Sequence, residues 1–202
     1  MNILIDNNPS SVNIDGVEHT INCDHRTSIL FEMAIKDPEL SEIDKLEVAL
    51  NLYYEEDIPD NVEEALNAIL WFYTLGELDG KVDEGEGGSN INNSPPKPKE
   101  EEVYSFAHDG DYIFSSFLYA YKIDLANEKL HWWSFMKLFN TLPEDTIMKK
   151  IIEIRNTKIT PSMSKEEKAN WRKLKRMYKL PVSESLNIDT GEQFGDAISN
   201  LF

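Results

Sequence analysis

The apolar positions along this chain recur at two different spacings. Up to about Asn22 they come in short runs: Asn2–Ile5, then Val12–Ile14 after Asn7-Asn8-Pro9, then Val17–Asn22. Asp15-Gly16 stands between the second and third runs, and an Asp-Gly pair between strand-like runs predicts a two-residue β-hairpin. From about Thr27 the period becomes helical. Leu30, Phe31, Ala34 and Ile35 predict a short helix that stops before Asp37-Pro38, with Pro38 in the first turn of the next. Leu46, Ala49, Leu50 and Tyr53 form the stripe of that next helix. Asp60 with Glu63 predicts the cap of a third, whose Val62, Leu66, Ile69, Leu70 and Tyr73 face one way and which Gly76 closes.

The pattern resumes, denser, at Val103. With Asp111 opening a helix, Ile113, Phe114, Phe117, Leu118 and Tyr121 share a face. A segment from about Glu128 to Asn140 sets Trp132, Phe135 and Phe139 on one side, with Trp133 and Met136 off it. Such a segment is apolar nearly all round, as at the centre of a bundle or in an interface. Thr141-Leu142-Pro143-Glu144 fits a capping box for a helix with Ile147, Met148, Ile151 and Ile154 on its stripe. After a break at 156–161, Ser164 and Glu167 form a second box, opening a helix to about Leu180. On that helix Trp171, Leu174, Met177 and Tyr178 cluster on one side. Lys165, Lys168, Arg172, Lys175, Arg176 and Lys179 cluster on the other. The fold class expected is mainly α, in helical bundle-like units, with a small N-terminal β-hairpin.

Between the two dense regions, residues 79–102 are rich in Gly, Asn, Pro and Glu and almost free of apolar side chains. Such a stretch buries too little surface to offset its ordering entropy, which predicts a mobile linker or loop. The expected organisation is an acidic N-terminal part (1–78), that linker, an aromatic-rich helical domain (103–180) and a polar tail (181–202). The tail carries at most a frayed helix near Phe194–Leu201.

Charge sharpens this division. The chain has 20 Lys+Arg against 37 Asp+Glu, a net −17. Residues 1–103 hold 24 acids and 6 bases, whereas 149–202 hold 7 acids and 11 bases. The acidic total argues against bulk nucleic-acid or anionic-membrane binding and for solubility or a basic partner. Cys23 is the single cysteine, which excludes an intramolecular disulfide and a thiolate metal cluster and fits a reducing compartment. With no long apolar run and no signal-like segment, the expected location is cytoplasmic.

Candidate chemistry is sparse. His108-Asp109-Gly110-Asp111 resembles the His-Asp pair of metal-dependent phosphohydrolases, but His19, His25 and His131 lack the context for further ligands. Helix capping by Asp109 or Asp111 explains those residues better. The acidic runs Glu55-Glu56-Asp57 and Glu100–Glu102 lack the spacing and glycine of a calcium loop. No phosphate-cradling loop, GxSxG or HExxH occurs, and Cys23 has no evident base. No cofactor, metal or catalytic activity is expected. What remains are partner-binding candidates. Trp132-Trp133 is either core or an interface anchor, and the divergence of adjacent helical side chains predicts one tryptophan inside and the other partly on the surface. The basic stripe, with Lys168, Arg172, Lys175 and Arg176 at its centre, is either a contact surface or a solvated face.

YSFAHDGDYIFSSFLYAYKIDLANEKLHWWSFMKLFNTLPEDT, followed by KIIEIRNTKI and MSKEEKANWRKLKRMYKL, resembles the bacteriophage Gp-fifteen family. The likeness extends through IPDNVEEALNAILWFY and the Asp15-Gly16 hairpin, covering roughly residues 12–180. The HWWSF…LPEDT combination is its most specific part. The family occurs in siphophages and prophages of Gram-positive bacteria, with genes usually between those for the tail tube and the tape measure. The resemblance therefore implies a non-enzymatic tail assembly chaperone in the host bacterial cytoplasm, with tape-measure or tail-tube protein as partner and self-association possible. The alternative it leaves open is a structural virion protein, such as a tail completion or connector subunit. No catalytic residue carries over from the family.

Overall fold

The computed structural model describes residues 4–55, 57–76 and 102–181. Nearly all of the expected linker at 79–102 and of the tail at 181–202, including Phe194–Leu201, lies outside them. Among the described residues the fold is mainly α with one small antiparallel hairpin, as the periodicity predicts. Its contacts divide it into two compact units, one from 4–23 and 30–76, the other from 24–29 and 102–181.

In the first unit, β1 (Ser11–Ile14) pairs with β2 (Val17–Thr20), Ile14 opposite Val17 and Val12 opposite His19. Asp15 and Gly16 both take positive φ, 51° and 81°, the two-residue turn whose twist matches the strands. The turn is tied to the helices, Asp15 N–H donating to Glu64 Oε2 at 3.0 Å and Asn61 Nδ2 to Asp15 Oδ2 at 2.9 Å. Helix α1 runs His25–Ile35, and from it Phe31 and Ile35 enter this unit's core. Helix α2 (Glu42–Tyr54) is capped by Ser41, whose hydroxyl accepts from Asp44 N while Asp44 accepts in return from Ser41 N. Pro38 therefore sits in the connecting turn and not, as expected, in the first turn of the helix. The stripe Leu46, Ala49, Leu50, Tyr53 is buried as predicted.

Helix α3 (Val62–Tyr73) takes its cap from Asn61, which accepts from Glu64 N, and not from Asp60. At its other end Leu75 N–H reaches Phe72 O and Gly76 N–H reaches Trp71 O, a Schellman closure. The left-handed residue next to the cap is Leu75 (φ 61°), with Gly76 (φ 79°) following it. Phe31 packs edge-on against Tyr53 and Tyr73, at 5.4 and 5.1 Å between ring centres.

The second unit is built on Phe135. Helix α4 (Phe106–Tyr121) begins five residues before Asp111, because Asp109 is in its first turn and accepts Ser105 N–H at 2.9 Å. The face it buries carries Phe106, Asp109, Ile113, Ser116 and Phe117, and Leu118 is exposed. Helix α5 (Trp132–Asn140) is capped by His131. Its Phe135 ring stacks on Phe117 at 5.0 Å, on Trp132 at 5.6 Å and on His25 at 5.2 Å.

The capping box expected at Thr141–Glu144 does not form. Thr141 closes α5 instead, its hydroxyl donating to Lys137 O, and the next helix starts only at Ile147. The reason is local competition: Pro143 O accepts from both the N–H and the hydroxyl of Thr146, making a turn where the box would begin. Helix α6 (Ile147–Asn156) buries Met148 and Ile151, and Ser116 Oγ accepts Met148 N–H at 3.1 Å. Helix α7 (Lys165–Met177) has the predicted Ser164–Glu167 capping box, and no residue of it is buried.

Candidate partner interface

Helix α7 is held at its C-terminal end by one arginine. Arg155, in the last turn of α6, sets its guanidinium fork on Asp109, at 2.5 and 2.8 Å, with both side chains shielded from solvent. Its Nη1 also donates to Val103 O at 3.1 Å, and its Nε to Tyr178 O at 2.7 Å, the residue that ends α7. Lys175 returns the contact, its Nζ donating to Arg155 O at 2.6 Å. A planar five-donor group suits this task, because one side chain can satisfy a carboxylate and two carbonyls at once. Asp109, read from sequence as a helix cap, is therefore also the buried counter-charge of Arg155. With Arg155 on both its oxygens and Ser105 N–H on one, it offers no open carboxylate to a metal.

The basic stripe is only partly free. Lys175 is spent on Arg155, and Lys168 Nζ donates to Pro161 O at 2.8 Å. Arg172 and Arg176 are exposed. From Lys168 to Pro181 every charged residue is basic: Lys168, Arg172, Lys173, Lys175, Arg176 and Lys179. Trp171 and Leu174 are half-buried on the other side, and Met177 is 61% exposed. The helix thus presents cations beside an accessible thioether, a combination suited to an acidic surface with an apolar centre.

The tryptophan pair belongs to the core. Trp132 is 1% and Trp133 5% exposed, so the expected division into one inner and one partly outer ring is corrected. The two side chains do diverge, but α5 is covered on both sides. Trp132 meets Phe106 and Phe135, while Trp133 has the Lys137 ammonium 5.9 Å above its ring.

Two clefts open on the second unit. One, of about 260 Å³, is lined mainly by Ile29, Phe106, Ile113, Phe114, Leu125 and Phe135, with buried His25 at its edge. Burial holds the His25 imidazole below its ordinary pKa, against the opposing pull of the Asp24 carboxylate 3.0 Å from Nδ1. The other, of about 250 Å³, is polar and lies over Asp109 and Arg155, with His108, Tyr112, Tyr178 and Lys179 around it. Sequence reasoning missed Arg155 and also Arg26, whose Nη2 donates to the carbonyls of Leu125, Ala126 and Glu128 at 3.0, 3.2 and 3.1 Å. Their distant partners carry no local signal: Asp109 lies 46 residues from Arg155, and the three carbonyls about 100 from Arg26, whose near partner among the described residues is Asp24.

These features define a class: a helical protein whose distinctive surface is a charged helix face. Among the described residues no group of three His, Cys, Asp or Glu is placed to hold a metal ion, and no helix is long and apolar enough to cross a membrane. The chain belongs to the family described as Bacteriophage Gp15 protein, whose model matches residues 4–180. It is a bacteriophage protein. No curated protein and no solved structure matches it.

Proposed function

We propose that this chain is a non-enzymatic tail assembly chaperone. It acts in the host bacterial cytoplasm, binding the tape-measure protein, the tail-tube protein or both before the tube closes around the tape. Family membership supports a role in building the phage particle. The single observation that carries the chaperone reading is α7: a 13-residue helix with no fully buried residue and six cations, Lys165, Lys168, Arg172, Lys173, Lys175 and Arg176. Its Arg172, Lys173 and Arg176 are exposed, so this face is accessible to another protein. A chaperone has to release its client, and long-range attraction with modest contact area speeds encounter without locking the complex.

Affinity capture of the tagged chain from induced or infected cells tests this. Tape-measure or tail-tube protein should co-purify, and less of it when Arg172 and Arg176 are changed to glutamate. Recovery of the chain chiefly as a fixed component of finished particles would contradict the reading and favour a completion or connector subunit.

A further inference from the structure

We propose that α7 also docks on a second copy of this chain, at the acidic surface formed by the hairpin and the start of α3, giving a head-to-tail association. This goes beyond the chaperone reading and does not depend on it. The two surfaces are complementary in charge and in apolar content.

On one side is α7, in which the acids Glu166 and Glu167 are confined to the first turn. Glu167 is folded back on Ser164 N at 2.7 Å. Every later charge on the helix is positive, and Met177 stands open beside them. On the other side, residues 4–23 and 57–76 contain no Lys or Arg. Among the described residues the two lysines elsewhere in that unit are bonded internally, Lys36 to Glu32 at 2.8 Å and Lys45 to Glu42 at 2.9 Å.

The carboxylates of this second surface are held together by the fold. Asp15 is bonded to Asn61 and Glu64 at the start of α3, and His19 of β2 lies 3.1 Å from Asp57. Glu18 on β2, Asp57 beside His19, and Asp60 and Glu63 at the start of α3 are all exposed. Among them Val17 and Ile58 are 55% and 40% exposed, the apolar counterparts of Met177. Because the two faces are different, the contact is heterologous. It leaves one face of each kind unfilled at the ends, so that association grows with concentration.

Sedimentation velocity on the full chain tests the proposal, with circular dichroism confirming that every variant is folded. Wild type should associate increasingly with concentration at low salt, and the effect should weaken as ionic strength rises from roughly 0.05 to 0.5 M. Arg172→Glu with Arg176→Glu should abolish association, and so should Asp60→Lys with Glu63→Lys in a separate protein. Mixing the two reversed proteins should restore it, since each then carries the charge that the other lacks. A wild type that is monomeric at every concentration overturns the proposal. So do reversed proteins that associate as wild type does, or a mixture that stays dissociated.

Discussion

Arg155 is the residue on which most of the second unit's polar order depends. Its partner Asp109 is almost wholly buried, so removing the cation strands a carboxylate in the core. Arg155→Met should cost about 3–5 kcal/mol in denaturant unfolding, the range for breaking a buried pair from one side. Arg155→Lys keeps the charge but loses the fork and the reach to Tyr178 O, and should recover only part of that. The tryptophans are a second test at this scale. Both are buried, so Trp132→Ala and Trp133→Ala should each destabilise by about 3–5 kcal/mol. A near-neutral Trp133→Ala would return that ring to the surface.

His25 gives a pH signature. Its imidazole is held below the ordinary value of 6.5 by burial, so the unfolded chain takes up a proton that the folded chain resists. The stability this site contributes is complete above pH 6.5 and is lost as the pH falls below it. The melting temperature of the wild type should therefore drop more steeply between about pH 7 and 5 than that of His25→Phe, which keeps the ring stack on Phe135. Parallel curves for the two proteins would show that His25 has no part in the pH dependence.

At the scale of the element, what was legible was what is chemically local. Asp15-Gly16 and Ser164–Glu167 form the turn and the cap their residue types predict, because every partner lies within a few positions. The stripe of α2 was legible for the same reason, and that of α3 in part: Leu66, Ile69 and Leu70 are buried, but with Ala65 and Phe72 in place of Val62 and Tyr73. The failures have tertiary causes. Asp111 has the look of a helix start, yet Asp109 sets α4 further upstream by satisfying Ser105 and receiving Arg155. Thr141–Glu144 has the letters of a capping box, yet Thr146 claims Pro143 O and Ser116 supplies the acceptor for Met148 N–H.

The candidate interface divides in the same way. The run of cations on α7 could be read from spacing alone, whereas the diversion of Lys175 to Arg155 O could not. Because no residue of α7 is fully buried, its cap should matter mainly to that helix. Ser164→Ala should weaken that helix by about 1 kcal/mol, visible as faster amide exchange over residues 165–177. The global unfolding midpoint should scarcely move. A large shift in the midpoint would mean that α7 belongs to the cooperative core.

For the whole molecule, the uneven charge is the property that links fold to function. A chain of net −17 that places 11 of its 20 basic residues between Lys149 and Lys179 is acidic over its first half and basic over that one segment. Such an arrangement favours salt-sensitive encounters with other proteins over bulk binding to nucleic acid. We propose that these encounters serve tail building. The most direct test is to express the tape-measure protein and the tail-tube protein separately, each with and without this chain, and to measure the fraction that stays soluble. The chain should raise the soluble fraction of at least one of them, and raising salt or reversing Arg172 and Arg176 should reduce the gain. Unchanged solubility of both, with the chain recovered in fixed ratio from purified particles, would contradict it.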